Sequence, residues 1–514
     1  MDMQLLAPTM FGALVLAMLI GFPVAFTLSG LGLAFGYYAV AQGYFPEAFM
    51  ANLPLRLFGI VSNELLLSIP FFTFMGAILE RCGLAEDLLE GTGQLFGRMP
   101  GGLGFAVIIV GAILGAITGT VAASVIAMGV ISLPVMMRNG YNMRYATGVI
   151  AASGTITQLI PPSLVLVVLA DQLGRSVGDM YRGAVGPSML QTAIFLLFTL
   201  GVAVLRPSWV PPLPEEARTT RGWALVKRVL WGMLPSIVLI FLVLGTLFMG
   251  WATPTEAGAL GAIGGMVLAA MHRRLTLTLV WQAMDSTMRV TAMVIFILLG
   301  SSVFSLVFQG VDGNVWIEHM LSHLPGGPVG FLIAVNIFVF FLAFFLDFFE
   351  IAFIIVPLLA PVAEKLGIDL VWFGVLLCVN MQTSFMHPPF GFALFYLRGV
   401  SDQIYKNKAI TRPIASKDIY LGALPWVVMQ LMLVAVVIFW PTSVTYWLEK
   451  EQKVDADKVQ IDMQIEDTGS PDEQPASAPE LPMPEPSTQE EDPAQAVRDA
   501  IGKEEEGSKA SGTR

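Results

Sequence analysis

The 514-residue chain is short of charge, cysteine and histidine. Only 13% of its residues are Asp, Glu, Lys or Arg, against about a quarter in a soluble domain, which excludes a string of ordinary water-soluble domains. Its two cysteines, Cys82 and Cys378, lie beside or inside apolar runs and cannot make a disulfide framework or a zinc site. No histidine pair sits at metal spacing, and there is no phosphate loop or nucleophile elbow. No basic surplus invites nucleic acid. The net charge of −11 lies wholly in the tail, where Glu449 to Arg514 holds 18 acidic and 7 basic residues, leaving 21 of each sign before it. Apolar residues are abundant, at 55%, with a mean hydropathy of +0.72. The chain therefore reads as an all-α integral membrane protein in a lipid bilayer. Its segment 446–514, rich in Pro, Glu, Asp, Ser and Gln, cannot bury enough apolar surface to order itself, and is expected to be a disordered acidic tail.

Stretches free of Asp, Glu, Lys and Arg mark the spans: 3–46, 99–137, 145–170, 183–205, 229–255, 290–311, 319–346, 370–397 and 419–448. One helix crosses the hydrocarbon with about 20 residues, so 3–46 and 99–137 must each cross twice or enter and return. The N-terminus has no basic n-region and no small-residue cleavage site, so the first span reads as retained. Segment 206–230 carries Arg206, Arg218, Arg221, Lys227 and Arg228, which predicts a cytoplasmic linker between two halves.

Those halves share landmarks. Met99-Pro-Gly-Gly-Leu-Gly-Phe105 returns as Leu324-Pro-Gly-Gly-Pro-Val-Gly-Phe331. Gly140 and Gly367 each precede a double proline, Pro161-Pro162 and Pro388-Pro389, by 21 residues. Ser124 and Asp347 stand 10 residues before Pro134 and Pro357. Arg98, Arg138 and Arg144 flank the first copy, whereas the second follows a loop with Asp312 and Glu318 and no Lys or Arg, which predicts opposite orientation. The expectation is a first repeat over 1–205 with a re-entrant hairpin near 103–137. A second, inverted repeat over 231–445 would carry a re-entrant hairpin near 329–364. Inverted halves with broken helices belong to secondary transporters, whose sites lie between the repeats; a duplicated channel or structural protein is the plainer alternative.

Candidate residues gather at the breaks. Thr118, Gly119, Thr120 and Ser124 lie in a glycine-rich stretch inside the first long run, where unwound carbonyls and hydroxyls could bind a small cation. Close helix packing by small residues explains the same stretch about as well. Ser153, Gly154, Thr155, Thr157 and Gln158 precede the first double proline, and Asn380, Gln382, Thr383, Ser384 and His387 precede the second; two prolines in succession break a helix. Asp347 is an acid inside a span, a costly placement that marks a cation or proton site, or a wet hairpin mouth. Glu350 is expected to be merely hydrated, and Glu256 to be a third buried acid pinning the repeats together. His387 could relay protons, bind substrate or be satisfied by neighbouring backbone. Lacking a nucleotide signature, transport would draw on an ion gradient.

Pro254-Thr-Glu-Ala257, Thr118-Gly-Thr-Val-Ala-Ala123 and Gly148–Thr155 running to Pro161-Pro162 resemble the large membrane subunit of tripartite ATP-independent periplasmic (TRAP) transporters. So does Leu346–Pro357 running to Pro388-Pro389-Phe-Gly391. The resemblance covers about residues 5–445 and leaves out the tail. It implies a sodium-coupled elevator importer of organic acids in the bacterial inner membrane. The implied partners are a small four-helix membrane subunit and a periplasmic substrate-binding protein, with Na+ as coupling ion and neither a cofactor nor a transition metal. By the same resemblance Gly119, Thr120 and Ser124 lie at the first hairpin tip, with Ser153, Gly154 and Thr155 in the clefted helix beside it. Asp347 would be the acid of a sodium site at the second tip, faced by Asn380 to Ser384. Where the family has Ser-Gly-Ser, this chain has Thr118-Gly119-Thr120, which keeps the hydroxyls. Its Met381-Gln-Thr-Ser-Phe-Met-His387 resembles the branch handling 2-oxo acids, mannitol or aromatic acids. The rivals are a stand-alone ion-coupled organic anion carrier, an intramembrane enzyme using Asp347, Glu350 and His387, and a channel.

Overall fold

The computed structural model describes residues 3–218, 222–322, 324–389 and 391–448. The tail beyond Leu448, and with it its expected disorder, lies outside them, as do the side chains of Thr118, Arg228 and Ser322. All regular structure among the described residues is helical.

The run 3–46 divides into α1 (Met3–Ile20) and α2 (Val24–Ala41), because Gly21 takes the left-handed region at φ +92° and Pro23 cannot continue a helix. Then come α3 (Glu47–Met50), α4 (Leu53–Val61), α5 (Ser68–Arg81) and α6 (Leu84–Phe96). The run 99–137 becomes α7 (Gly102–Thr118) and α8 (Val121–Arg138). It is followed by α9 (Met143–Thr155), a 3-10 turn over Ile156–Gln158, α10 (Leu164–Gln172) and the long α11 (Val177–Leu205).

The second half opens with α12 (Trp223–Phe248), α13 (Pro254–Met271), α14 (Leu277–Gly310) and α15 (Gly313–Ser322). The order of the first half then recurs. A helix pair, α16 (Gly327–Leu342) and α18 (Val356–Lys365), is joined through α17 (Phe348–Glu350) and a π-turn over Ile351–Ile355. A broken helix, α19 (Leu370–Met386) and α20 (Phe392–Lys406), leads to the long α21 (Ser416–Phe439) and the short α22 (Thr442–Thr445).

Eight of these helices are long and apolar enough to cross a membrane: α1, α2, α8, α11, α12, α13, α14 and α21. The arms α7 and α16, with 17 and 16 residues, fall short of the roughly 20 that a straight crossing needs. Packing exchanges partners between the halves, since α21 lies on α9 and α11 lies on α19.

Glu256 departs from expectation. It is exposed and closes a capping box at the start of α13: Thr253 N–H donates to Glu256 Oε2 at 2.8 Å and Glu256 N–H donates to Thr253 Oγ1 at 3.3 Å. A first-turn acid is better placed to satisfy free N–H groups than to be buried. A hydrogen bond from Thr255, whose hydroxyl donates to the Glu64 carbonyl at 2.8 Å, ties α13 to the first half beside its packing on α5.

Candidate functional site: two breaks and their glutamines

The first helix pair turns at Gly119 and Thr120. Gly119 caps α7 in the left-handed region (φ +62°) and Thr120 is extended, a sequence of conformations that a β-branched residue at 119 would resist. Thr118 is the last residue of α7, and Ser124 is buried in the first turn of α8. The glycines earlier in α7 serve packing. A Cβ at Gly111 would lie 2.7 Å from Ser153 Cβ, and one at Gly115 would lie 2.8 Å from Thr157 Cα. From the other side, a Cβ on Gly154 would meet Val125 Cγ2 at 2.2 Å. The glycine-rich stretch thus allows close approach at Gly111 and Gly115 and turns the chain at Gly119.

Against this pair lies the first broken helix. Ser153, Thr155, Thr157 and Gln158 are all buried. The Thr155 and Thr157 hydroxyls donate back to the Ala152 and Gly154 carbonyls at 2.9 and 2.8 Å. Where the helix stops, the Gln158 carbonyl accepts from Ser163 Oγ at 2.5 Å and from Cys378 Sγ of α19 at 3.4 Å. Ser153 Oγ and Gln158 Oε1 have no hydrogen-bond partner among the described residues, an expensive condition for buried polar atoms unless a ligand, ion or water meets them.

In the second half the break falls at Asp347. Its Oδ1 accepts from Phe348 N–H at 2.6 Å, and Glu350 Oε2 accepts from Asp347 N–H at 2.9 Å, so the two acids form the capping box of α17. Glu350 thus has a structural task beyond meeting water. Asp347 keeps its hydrogen bonds within this segment.

The polar residues before the second double proline do not hydrogen-bond Asp347. Asn380 Nδ2 donates to the Asn336 carbonyl of α16 at 2.8 Å, tying α19 to the first arm. The Thr383 and Ser384 hydroxyls return to the Asn380 and Met381 carbonyls at 2.7 and 2.5 Å. His387, half-buried, packs against Phe344 and Phe340 with ring centroids 4.7 and 5.1 Å away, and its Nδ1 has no hydrogen-bond partner among the described residues.

Two buried glutamines escaped the sequence reading. Gln191 of α11 donates from Nε2 to Gln382 Oε1 at 2.8 Å, and Gln430 of α21 donates from Nε2 to Thr155 Oγ1 at 3.0 Å. Their one signal is that each is a lone amide in a charge-free run.

A cavity lies behind each helix pair. One of about 450 Å³ is bounded by α6, α7 and α8, with Glu86, Glu90, Gln94, Ser132 and Asn139 in its wall and Leu213 and Ala217 of the linker at its edge. The other, about 440 Å³, is bounded by α15, α16 and α18 and is walled by apolar side chains including Trp316, Met320, Phe338 and Leu358.

The family model for the DctM component of tripartite ATP-independent periplasmic transporters matches residues 11–443. The C4-dicarboxylate TRAP transporter large permease protein DctM of Pseudomonas aeruginosa is 30% identical over 76% of this chain and 87% of that protein. The protein of the same name from Rhodobacter capsulatus is 29% identical over 84% of this chain and 96% of that protein. The sialic acid TRAP transporter large permease protein SiaM of Vibrio cholerae is 26% identical, covering 82% and 93%. Among solved structures, the YdaH transporter of Alcanivorax borkumensis shares the fold, with a TM-score of 0.58 at 14% identity over 84% of this chain and 98% of that one.

Proposed function

The chain belongs to the DctM-component family of tripartite ATP-independent periplasmic transporters, a multi-pass inner-membrane transport subunit and not an enzyme, and from that premise we propose that it is the transport subunit of a sodium-driven, binding-protein-dependent importer of organic acids. One observation carries the coupling. Between Arg144 and Asp171 and between Asp369 and Arg398, the two broken helices hold no Lys or Arg, and the acids Asp347 and Glu350 lie at the tip beside them. An anion brought there finds no fixed positive side chain. Its charge must be offset by cations that travel with it and by the positive ends of the half-helices α10 and α20.

In this reading Gly119, Thr120 and Ser124 frame one ion-binding tip, with Ser153, Gly154, Thr155 and Gln158 across from it. Asp347 supplies the acid at the other tip, and Gln382, Thr383, Ser384 and His387 line the substrate side of the second break. The helix pairs are re-entrant hairpins of two inverted repeats. They move with the broken helices as an elevator against the remaining spans and a small four-helix partner subunit. The linker 206–230 is cytoplasmic, and the polar cavity that it borders is the cytoplasmic approach. A periplasmic binding protein delivers the acid. C4-dicarboxylates fit the named relatives, and 2-oxo acids fit the residues before the second double proline.

The test is uptake into proteoliposomes holding the chain and its small partner, under a sodium or a proton gradient, with and without the binding protein, across 2-oxo and dicarboxylic acids. Uptake that needs both sodium and the binding protein is the expected result. Uptake indifferent to the binding protein would move the function to a stand-alone carrier.

A further inference from the structure

Thr155 and Gln382 occupy the same place in the two halves, six residues before the first proline of each double proline. Each accepts a hydrogen bond from a glutamine amide, and in each case the glutamine comes from the opposite half. Gln191, on the span after the first broken helix, reaches the second; Gln430, on the span after the second, reaches the first. All four residues are buried. Two bonds from the same donor group, a glutamine amide, made to equivalent positions and crossed between halves, are not what independent satisfaction of core amides would produce.

Buried amides satisfy themselves readily within their own helix or with the nearest backbone. Here both glutamines forgo that, and Gln191 Oε1, Gln430 Oε1 and Gln382 Nε2 have no hydrogen-bond partner among the described residues. A half-satisfied buried amide is costly, so losing the one bond that each glutamine does make would leave its amide wholly unmet. Thr155 is also a relay: its hydroxyl accepts from Gln430 and donates to the Ala152 carbonyl in the last turn before the break.

We infer that Gln191 and Gln430 are positioning residues, a crossed pair of clasps that holds the unwound segment of each half in register with the following span of the other. The inference rests on the reading that these breaks frame the transported ions and anion. It gives that reading a specific device: loosening either clasp unsettles the break in the half from which the glutamine does not come.

The test is hydrogen exchange on the full chain in lipid nanodiscs, read over segments 156–163 and 384–391, for Gln191→Met, Gln430→Met, Thr155→Val and Thr155→Ser. Gln191→Met should speed exchange in 384–391, the second half's break, by about fivefold, the factor that one buried hydrogen bond carries. Gln430→Met and Thr155→Val should do the same to 156–163. Thr155→Ser, which keeps the acceptor, should match the unsubstituted protein. Thr155→Val changes shape so little that it keeps the test open should a glutamine variant fail to fold.

In the reconstituted complex Gln191→Met and Gln430→Met should raise half-saturating sodium by about fivefold while the amount of folded protein stays constant. Faster exchange confined to α11 or α21 around the substituted glutamine would overturn the inference, as would identical behaviour of Thr155→Val and Thr155→Ser. If the unsubstituted complex shows no sodium-driven uptake, the functional reading fails, and the exchange data still judge the clasps.

Discussion

The backbone N–H of Asp347 donates to Glu350 Oε2 at 2.9 Å while the Asp347 carboxylate caps the turn that Glu350 belongs to. The acid that costs most at membrane depth is therefore held by a second acid, and the two can be separated by substitution.

Asp347→Asn keeps a good helix cap and removes the charge. The protein should fold and assemble normally, with half-saturating sodium raised at least roughly tenfold, the effect of losing a charged ligand worth more than about 1.4 kcal/mol. Uptake measured against sodium concentration decides this, and an unchanged curve would end the role assigned to Asp347.

Glu350→Gln retains an acceptor for the Asp347 N–H, whereas Glu350→Ala leaves that N–H unmet. The amide variant should transport like the parent. The alanine variant should lose about 1 kcal/mol of local stability and show lowered uptake, measured side by side at equal folded protein.

At the first tip, Gly119→Val forces a β-branched residue into the left-handed region and should lower stability by about 1–2 kcal/mol. Gly154→Leu would drive a side chain into Val125, where even a Cβ comes within 2.2 Å, and should cost about 1–3 kcal/mol or more through overpacking. Thermal unfolding in detergent reads both.

Glu256→Ala removes an exposed cap. It should lower the unfolding temperature only modestly, through loss of the reciprocal bond to the Thr253 N–H, and leave half-saturating sodium where it was. A shift in sodium dependence would mean that this acid takes part in ion binding after all.

The elements of this fold were legible wherever backbone chemistry punctuates the chain. The helix pairs run over Gly102–Arg138 and Gly327–Lys365, and a glycine in the left-handed region stands just before each, Gly101 and Gly326. The double prolines likewise stop α9 and α19 where expected. Partnerships were not legible. Glu256 reads as a buried acid in the sequence because an apolar run says nothing about which residue ends up at a helix terminus. Asn380, which the resemblance sets opposite Asp347, donates to the Asn336 carbonyl 44 residues away in sequence. Gln191 and Gln430 find partners 191 and 275 residues away in sequence, a distance over which no local spacing carries information.

The two cavities have a thermodynamic consequence under the proposed movement. Were the exposure of the two cavities exchanged, the wall of Trp316, Met320 and Phe338 would have to be wetted, while Glu86, Glu90 and Gln94 would have to be dried. Hydrating apolar surface and desolvating acids are both unfavourable, so the two penalties add. On the proposed cycle the empty protein would therefore rest facing the linker, and reaching the opposite face would be the uphill limb, drawn forward by whatever binds there.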